Sequence, residues 1–236
     1  MNAVCRHLLA VHASVRDQAM EQIAMAQAAA KDKPVHFSML RDYRAADLIT
    51  LANAASGMAA VLIMMSYLTH PDGWRVYLSL ALVPAALCFD VLDGRVARRR
   101  GEHSLFGQEL DSLADIVSFG VAPAALAYGL GLRGGLDGFI LVFFVACGIS
   151  RLARYNVTAG QLSDSAGKVK YFEGTPIPSS VILVALMAGC FFLGRTGDNL
   201  PFGSVNLAGA GLHPFALLFF LNGCAMISKT LIIPKL

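Results

Sequence analysis

The sequence predicts an all-α, polytopic membrane protein: six transmembrane helices, preceded by an N-terminal helical segment that is cytoplasmic or lies on the membrane surface. Three observations lead there. Of 236 residues, 56% are hydrophobic and only 15% charged, against about 25% charged in an ordinary soluble domain. The apolar residues gather in runs approaching the roughly 20 residues that a helix needs to cross a bilayer. The 19 lysines and arginines fall mainly on alternate loops between those runs. A net charge of +3 leaves no electrostatic footprint for nucleic acid, so no such partner is expected.

Residues 1–45 stand apart, being rich in Ala and Gln with charges throughout. They lack the compact apolar core and cleavage site of a signal peptide. A helix is expected from Val4 to Ala30, ended by Lys31, Asp32, Lys33 and Pro34. A six-helix transmembrane domain is expected over residues 46–236. Leu48–Leu68 is uncharged and long enough to span, and His70, Pro71, Asp72 and Gly73 close it as a turn. Val76–Phe89 makes the second crossing and runs into Asp90 and Asp93. Ile116–Leu132 is the third, on a helix beginning near Glu109. Gly138–Ser150 is the fourth and ends in Arg151 and Arg154. Pro178–Gly194 is the fifth, and the sixth follows a loop that reaches His213 and Pro214. The five cysteines are too scattered for a zinc site or a disulfide framework.

All basic residues except Arg75, Arg133 and Arg195 lie on one side of this plan. The positive-inside rule therefore puts both termini in the cytoplasm. A multi-pass protein of the cell (inner, cytoplasmic) membrane is expected, with membrane lipids around it.

Asp90 then lies about 21 Å along its helix from the outer end of the apolar run, at 1.5 Å per residue. Asp93 is one turn further, and Asp111 and Asp115 enter from the same side on the third helix. Spacings of three and four put each pair on one helical face. Four carboxylates at membrane depth cannot all ionise unaided. Divalent cations would relieve them; oxygen ligands suit Mg, Mn or Ca, and two pairs suggest a two-metal clamp on a phosphate. A structural salt bridge with arginine, or a proton or cation transport pathway, are the other readings of intramembrane aspartates. Gly94, Ala97 and Gly107 leave room for a bulky ligand beside them, although close helix packing also uses small residues.

The string from Asp90 to Asp115 reads D-x2-D-G-x2-A-R-x8-G-x3-D-x3-D. It resembles the signature of the CDP-alcohol phosphotransferases (CDP-alcohol phosphatidyltransferases) at all eight fixed positions. The strings T-L-A-N from Thr50, D-S-L-A-D-I-V-S-F-G-V-A-P from Asp111, R-L-A-R-Y-N from Arg151 and F-E-G-T-P-I-P from Phe172 are most similar to the membrane phosphatidylserine synthase branch.

The resemblance implies transfer of a phosphatidyl group from CDP-diacylglycerol to L-serine with release of CMP. Glycerol 3-phosphate, choline or inositol phosphate are the alternative acceptors. It implies two ions, Mg2+ or Mn2+, held by Asp90, Asp93, Asp111 and Asp115, with Asp115 also the general base. It implies a CDP-lipid site at Gly94, Ala97, Arg98, Gly107 and Asn53, acceptor or phosphate contacts at Arg151 and Arg154, and a homodimer. His36, His103 and His213 are expected to be loop or interface residues.

Overall fold

In the computed structural model, residues 44–100, 104–162, 171–207, 210–228 and 232–234 are described. Helix α1 (Ala45–Thr69) and helix α2 (Gly73–Arg100) form an antiparallel hairpin. Its turn end is tied by Arg75 donating to Ser66, and its open end by Thr50 donating to Asp93. Helix α3 (Leu105–Asp115) passes through a six-residue π-helical segment, Ile116–Val121, into α4 (Ala122–Leu130). Helix α5 (Gly135–Leu162) follows, then the short strand β1 (Tyr171–Glu173) and α6 (Ser180–Phe192). A hairpin of β2 (Val205–Leu207) and β3 (Ala210–Leu212) leads to α7 (Ala216–Ile227). The last strand, β4 (Ile232–Pro234), pairs antiparallel with β1.

Four helical stretches are long and apolar enough to cross a membrane: Ala45–Thr69, Gly73–Arg99, Leu105–Leu130 and Gly135–Thr158. The fifth and sixth expected crossings are helical but shorter, Ile177–Phe192 and Ala216–Ile227. Helix ends depart from the hydropathy boundaries for a consistent reason. Backbone hydrogen bonding carries α2 through Asp90 and Asp93, starts α3 at Leu105 and carries α5 to Leu162, past Arg154. A charge ends an apolar run without ending a helix. The expected N-terminal segment and its Val4–Ala30 helix lie outside the described residues.

Phe119, Phe144, Phe219, Leu126 and Met64 are fully buried in the core. The Phe143–Phe220 and Phe144–Phe219 ring pairs, 5.2 and 5.4 Å between centroids, seat α7 on α5. Outward positions remain apolar: Leu62, Phe139, Val142 and Ile182 are each more than half exposed, as the faces of a lipid-embedded bundle must be. The buried stripe of α1 divides in two. Asp47, Thr50, Asn53 and Gly57 fill its first half, and Ala60, Val61 and Met64 its second. A Cβ on Gly57 would lie 2.6 Å from Ser118 Cα, so only glycine lets α1 come this close to the π segment. That contact sets α1 beside the aspartates.

Candidate active site

Asp90 and Asp93 sit one turn apart on α2, and Asp111 and Asp115 in the last turns of α3. Asp90, Asp93 and Asp111 each offer an oxygen, and these three atoms lie within 4.8 Å of one another. Asp93 is buried and the other two half-buried. Among the described residues none of them has an arginine or lysine partner; the ion pairs there are Arg75–Asp72 and His213–Asp137. Asp111 Oδ1 is buried with no hydrogen-bond partner. Like charges held this close in a low dielectric repel strongly. An all-oxygen set with an orphaned buried oxygen fits a hard divalent cation such as Mg2+, Mn2+ or Ca2+.

Asp115 stands outside that cluster. Asn53 Nδ2 donates to its Oδ1 at 3.2 Å, and the Asn53 carbonyl in turn accepts from Ser118 Oγ at 2.9 Å. Asn53 is fully buried, with its Oδ1 unpartnered. One turn earlier Thr50 Oγ1 donates to Asp93 Oδ2 at 2.7 Å. Helix α1 thus grips one carboxylate on α2 and one on α3. The π segment follows Asp115 directly and buries Ser118, Phe119 and Gly120 in succession, a widened turn of the kind that recurs at functional sites. Thr50 and Ser118 fall within the family-like strings but are not among the expected site residues. Their signal is the polar i, i+3 stripe inside an otherwise apolar span, which marks an interior face.

The remaining expected site residues are placed as follows. A Cβ on Gly94 would lie 3.4 Å from Arg98 Nη1, so the exposed guanidinium rests over the glycine, with half-buried Ala97 beside it on α2. Gly107 N donates to Ser104 Oγ at 3.0 Å, and a Cβ there would lie 3.1 Å from Asp47 Oδ1. Asp47 itself caps α1, accepting from Arg44 N at 2.9 Å. Arg151 is half-buried, and its Nε is buried without a partner. Arg154 diverges from it, exposed and donating to the Ile227 carbonyl at 3.4 Å. Asn156 bridges α5 to α3 through Ser112 Oγ at 3.1 Å and Glu109 Oε2 at 3.2 Å. His213 lies in the loop between β3 and α7, as expected; it is buried there and paired with Asp137 at the other end of the bundle. His36 and His103 lie outside the described residues.

Residues 43–221 match the CDP-alcohol phosphatidyltransferase family. The chain is 49% identical over 203 residues to a CDP-diacylglycerol–serine O-phosphatidyltransferase of Saccharomyces cerevisiae, covering 85% of this chain and 74% of that one. It is 36% identical over 148 residues to the protein of the same name from Methanocaldococcus jannaschii, covering 63% and 62%. It is 37% identical over 142 residues to an archaetidylserine synthase of Methanothermobacter thermautotrophicus, covering 59% and 55%.

Proposed function

The chain belongs to the CDP-alcohol phosphatidyltransferase family, and we propose that it transfers a phosphatidyl group from CDP-diacylglycerol to L-serine, giving phosphatidylserine and CMP. The acceptor is supported by the 49% identity to the yeast serine enzyme. The chemistry is supported above all by one observation, the convergence of Asp90, Asp93 and Asp111 with an orphaned Asp111 oxygen.

Asp90, Asp93 and Asp111 are assigned as cation ligands, with Asp115 as the fourth. Two bound divalent ions, Mg2+ or Mn2+, would supply positive charge to the diphosphate and to the departing CMP. Asp115, held by Asn53, takes the proton of the serine hydroxyl as the serine oxygen bonds to the lipid-side phosphorus. The phosphorus–oxygen bond to CMP breaks, and CMP leaves with the electron pair. Thr50 holds Asp93 in place, and Asn53 does the same for Asp115. Gly94, Ala97, Arg98, Gly107 and Asn53 are assigned to the CDP-lipid. The planar fork of Arg151, with its unpartnered Nε, suits a carboxylate or phosphate, and Arg154 is assigned with it.

The same reading takes Ile177–Phe192 and Ala216–Ile227 as the fifth and sixth crossings of the catalytic domain at residues 46–236, with residues 1–45 a cytoplasmic or membrane-surface segment. Lys and Arg placement supports cytoplasmic termini and a site near the cytoplasmic face of the cell membrane. The protein acts as a homodimer.

The test is CMP release by reconstituted protein given CDP-diacylglycerol and Mg2+ or Mn2+. L-serine is expected to support turnover; glycerol 3-phosphate, choline and inositol phosphate are not. Turnover with one of those and none with serine would reassign the acceptor. Ion flux with no CMP from any alcohol would make the aspartates a transport pathway instead.

A further inference from the structure

A cavity lies at the opposite end of the bundle from the aspartates. Tyr67 and Gly129 line it; Tyr67 is 14 residues beyond Asn53 on α1, and Gly129 is 14 residues beyond Asp115 on the continuous stretch from α3 through the π segment into α4, or about 21 Å of helix. The cavity measures about 470 Å³, within the range of small-molecule sites. Arg133, Asp198, Ser204 and His213 contribute to its walls.

Those walls are built rigidly. Asp137, fully buried, accepts from Gly134 N at 2.9 Å, His213 N at 2.8 Å and His213 Nδ1 at 2.6 Å. The His213 ring is thereby fixed, and its buried Nε2 has no partner. Arg133 is held by the carbonyls of Tyr128 at 3.1 Å and Gly129 at 2.8 Å. Gly131, at φ 139°, brings the two loops into contact: a Cβ there would lie 2.6 Å from Gly197 Cα. Only glycine adopts that conformation at that distance. Asp198 is exposed, and among the described residues it has no ion pair.

An arginine, a buried imidazole and a carboxylate with no ion pair among the described residues line one cavity and make a site of mixed charge. A simple anion would be repelled by Asp198, and a simple cation by Arg133. We propose that this cavity binds a zwitterion, its acid group toward Arg133 and its ammonium toward Asp198. An aminophospholipid headgroup and a free amino acid share this chemistry.

The probes are glycerophosphoserine, glycerophosphoethanolamine, L-serine, inorganic phosphate and ethanolamine, titrated calorimetrically into the full chain carrying Asp111→Asn with EDTA present, which removes metal-dependent binding at the aspartates; only binding that Arg133→Gln or Asp198→Asn weakens is assigned to the cavity. Saturable binding of a zwitterion is expected, with phosphate and ethanolamine at least tenfold weaker. The glycerophospho compounds binding best assigns the site to a lipid headgroup, and L-serine binding best assigns it to the free amino acid. Arg133→Gln and Asp198→Asn change exposed side chains; each should weaken binding at least tenfold, and in the otherwise native chain leave CMP release unchanged. No binding of any zwitterion, equal binding by phosphate alone, or unchanged binding in both variants would overturn the proposal, whatever the outcome at the aspartates.

Discussion

Asp137 and Asp111 are aspartates of one bundle, held at its two ends. Asp137 is fully buried and accepts three N–H groups, two of them from His213. Asp111 lies within 4.8 Å of two further carboxylates, has no cationic partner among the described residues and keeps a buried oxygen unbonded. A buried acid whose lone pairs are filled by its own chain belongs to the fold. An acid crowded by other acids and left unfilled needs something from outside the chain. Burial alone does not separate structural from chemical aspartates; the identity of the partners does.

Substitutions at the two ends should therefore divide activity from stability. The largest effect is expected from Asp111→Asn, which should lower CMP release about a thousandfold or more, since a charge stabilisation of several kcal/mol goes with the cation. Its thermal melting point should hold or rise, because one like charge leaves the cluster. A melting point that collapsed with activity would erase the distinction between the ends.

Asp137→Ala should do the reverse. It strands buried donors at about 1–3 kcal/mol each, so thermal melting of the purified protein should drop clearly while CMP release per folded molecule stays near the native level. Loss of turnover in fully folded Asp137→Ala would join the far end to the chemistry.

A smaller effect is expected at Thr50, which only orients a ligand. Thr50→Val should weaken divalent-ion activation roughly 10- to 100-fold, the scale on which removing a ligand's supporting hydrogen bond acts. Thr50→Ser should restore it. A shift in the metal dependence of CMP release, at unchanged melting, separates this role from a packing one; equal behaviour of Val and Ser would deny it.

The sequence made some of this legible and hid the rest for physical reasons. The four aspartates stand out because the bilayer makes charge conspicuous and their spacings of three and four repeat the helical turn. The helix ends do not, since Asp90, Asp93 and Arg154 end apolar runs while the backbone goes on in α2 and α5. The π segment is hidden because Ile116–Val121 contains nothing that a 3.6-residue period would reject. The Asp137–His213 pair joins residues 76 apart, and no local pattern announces such a contact. Thr50 and Asn53 fall between these cases, visible as polar residues on one face of a span, with their partners disclosed only by the fold.

The central claim is that the clustered carboxylates hold the divalent ion on which transfer depends. Chelated, metal-free protein titrated with Mn2+, with bound metal followed by electron paramagnetic resonance and CMP release from CDP-diacylglycerol and L-serine followed in the same samples, tests it directly. Bound metal and turnover should rise together from zero, and Asp111→Asn should abolish both. Turnover in the chelated protein, or Mn2+ binding that Asp111→Asn leaves unchanged, would contradict it.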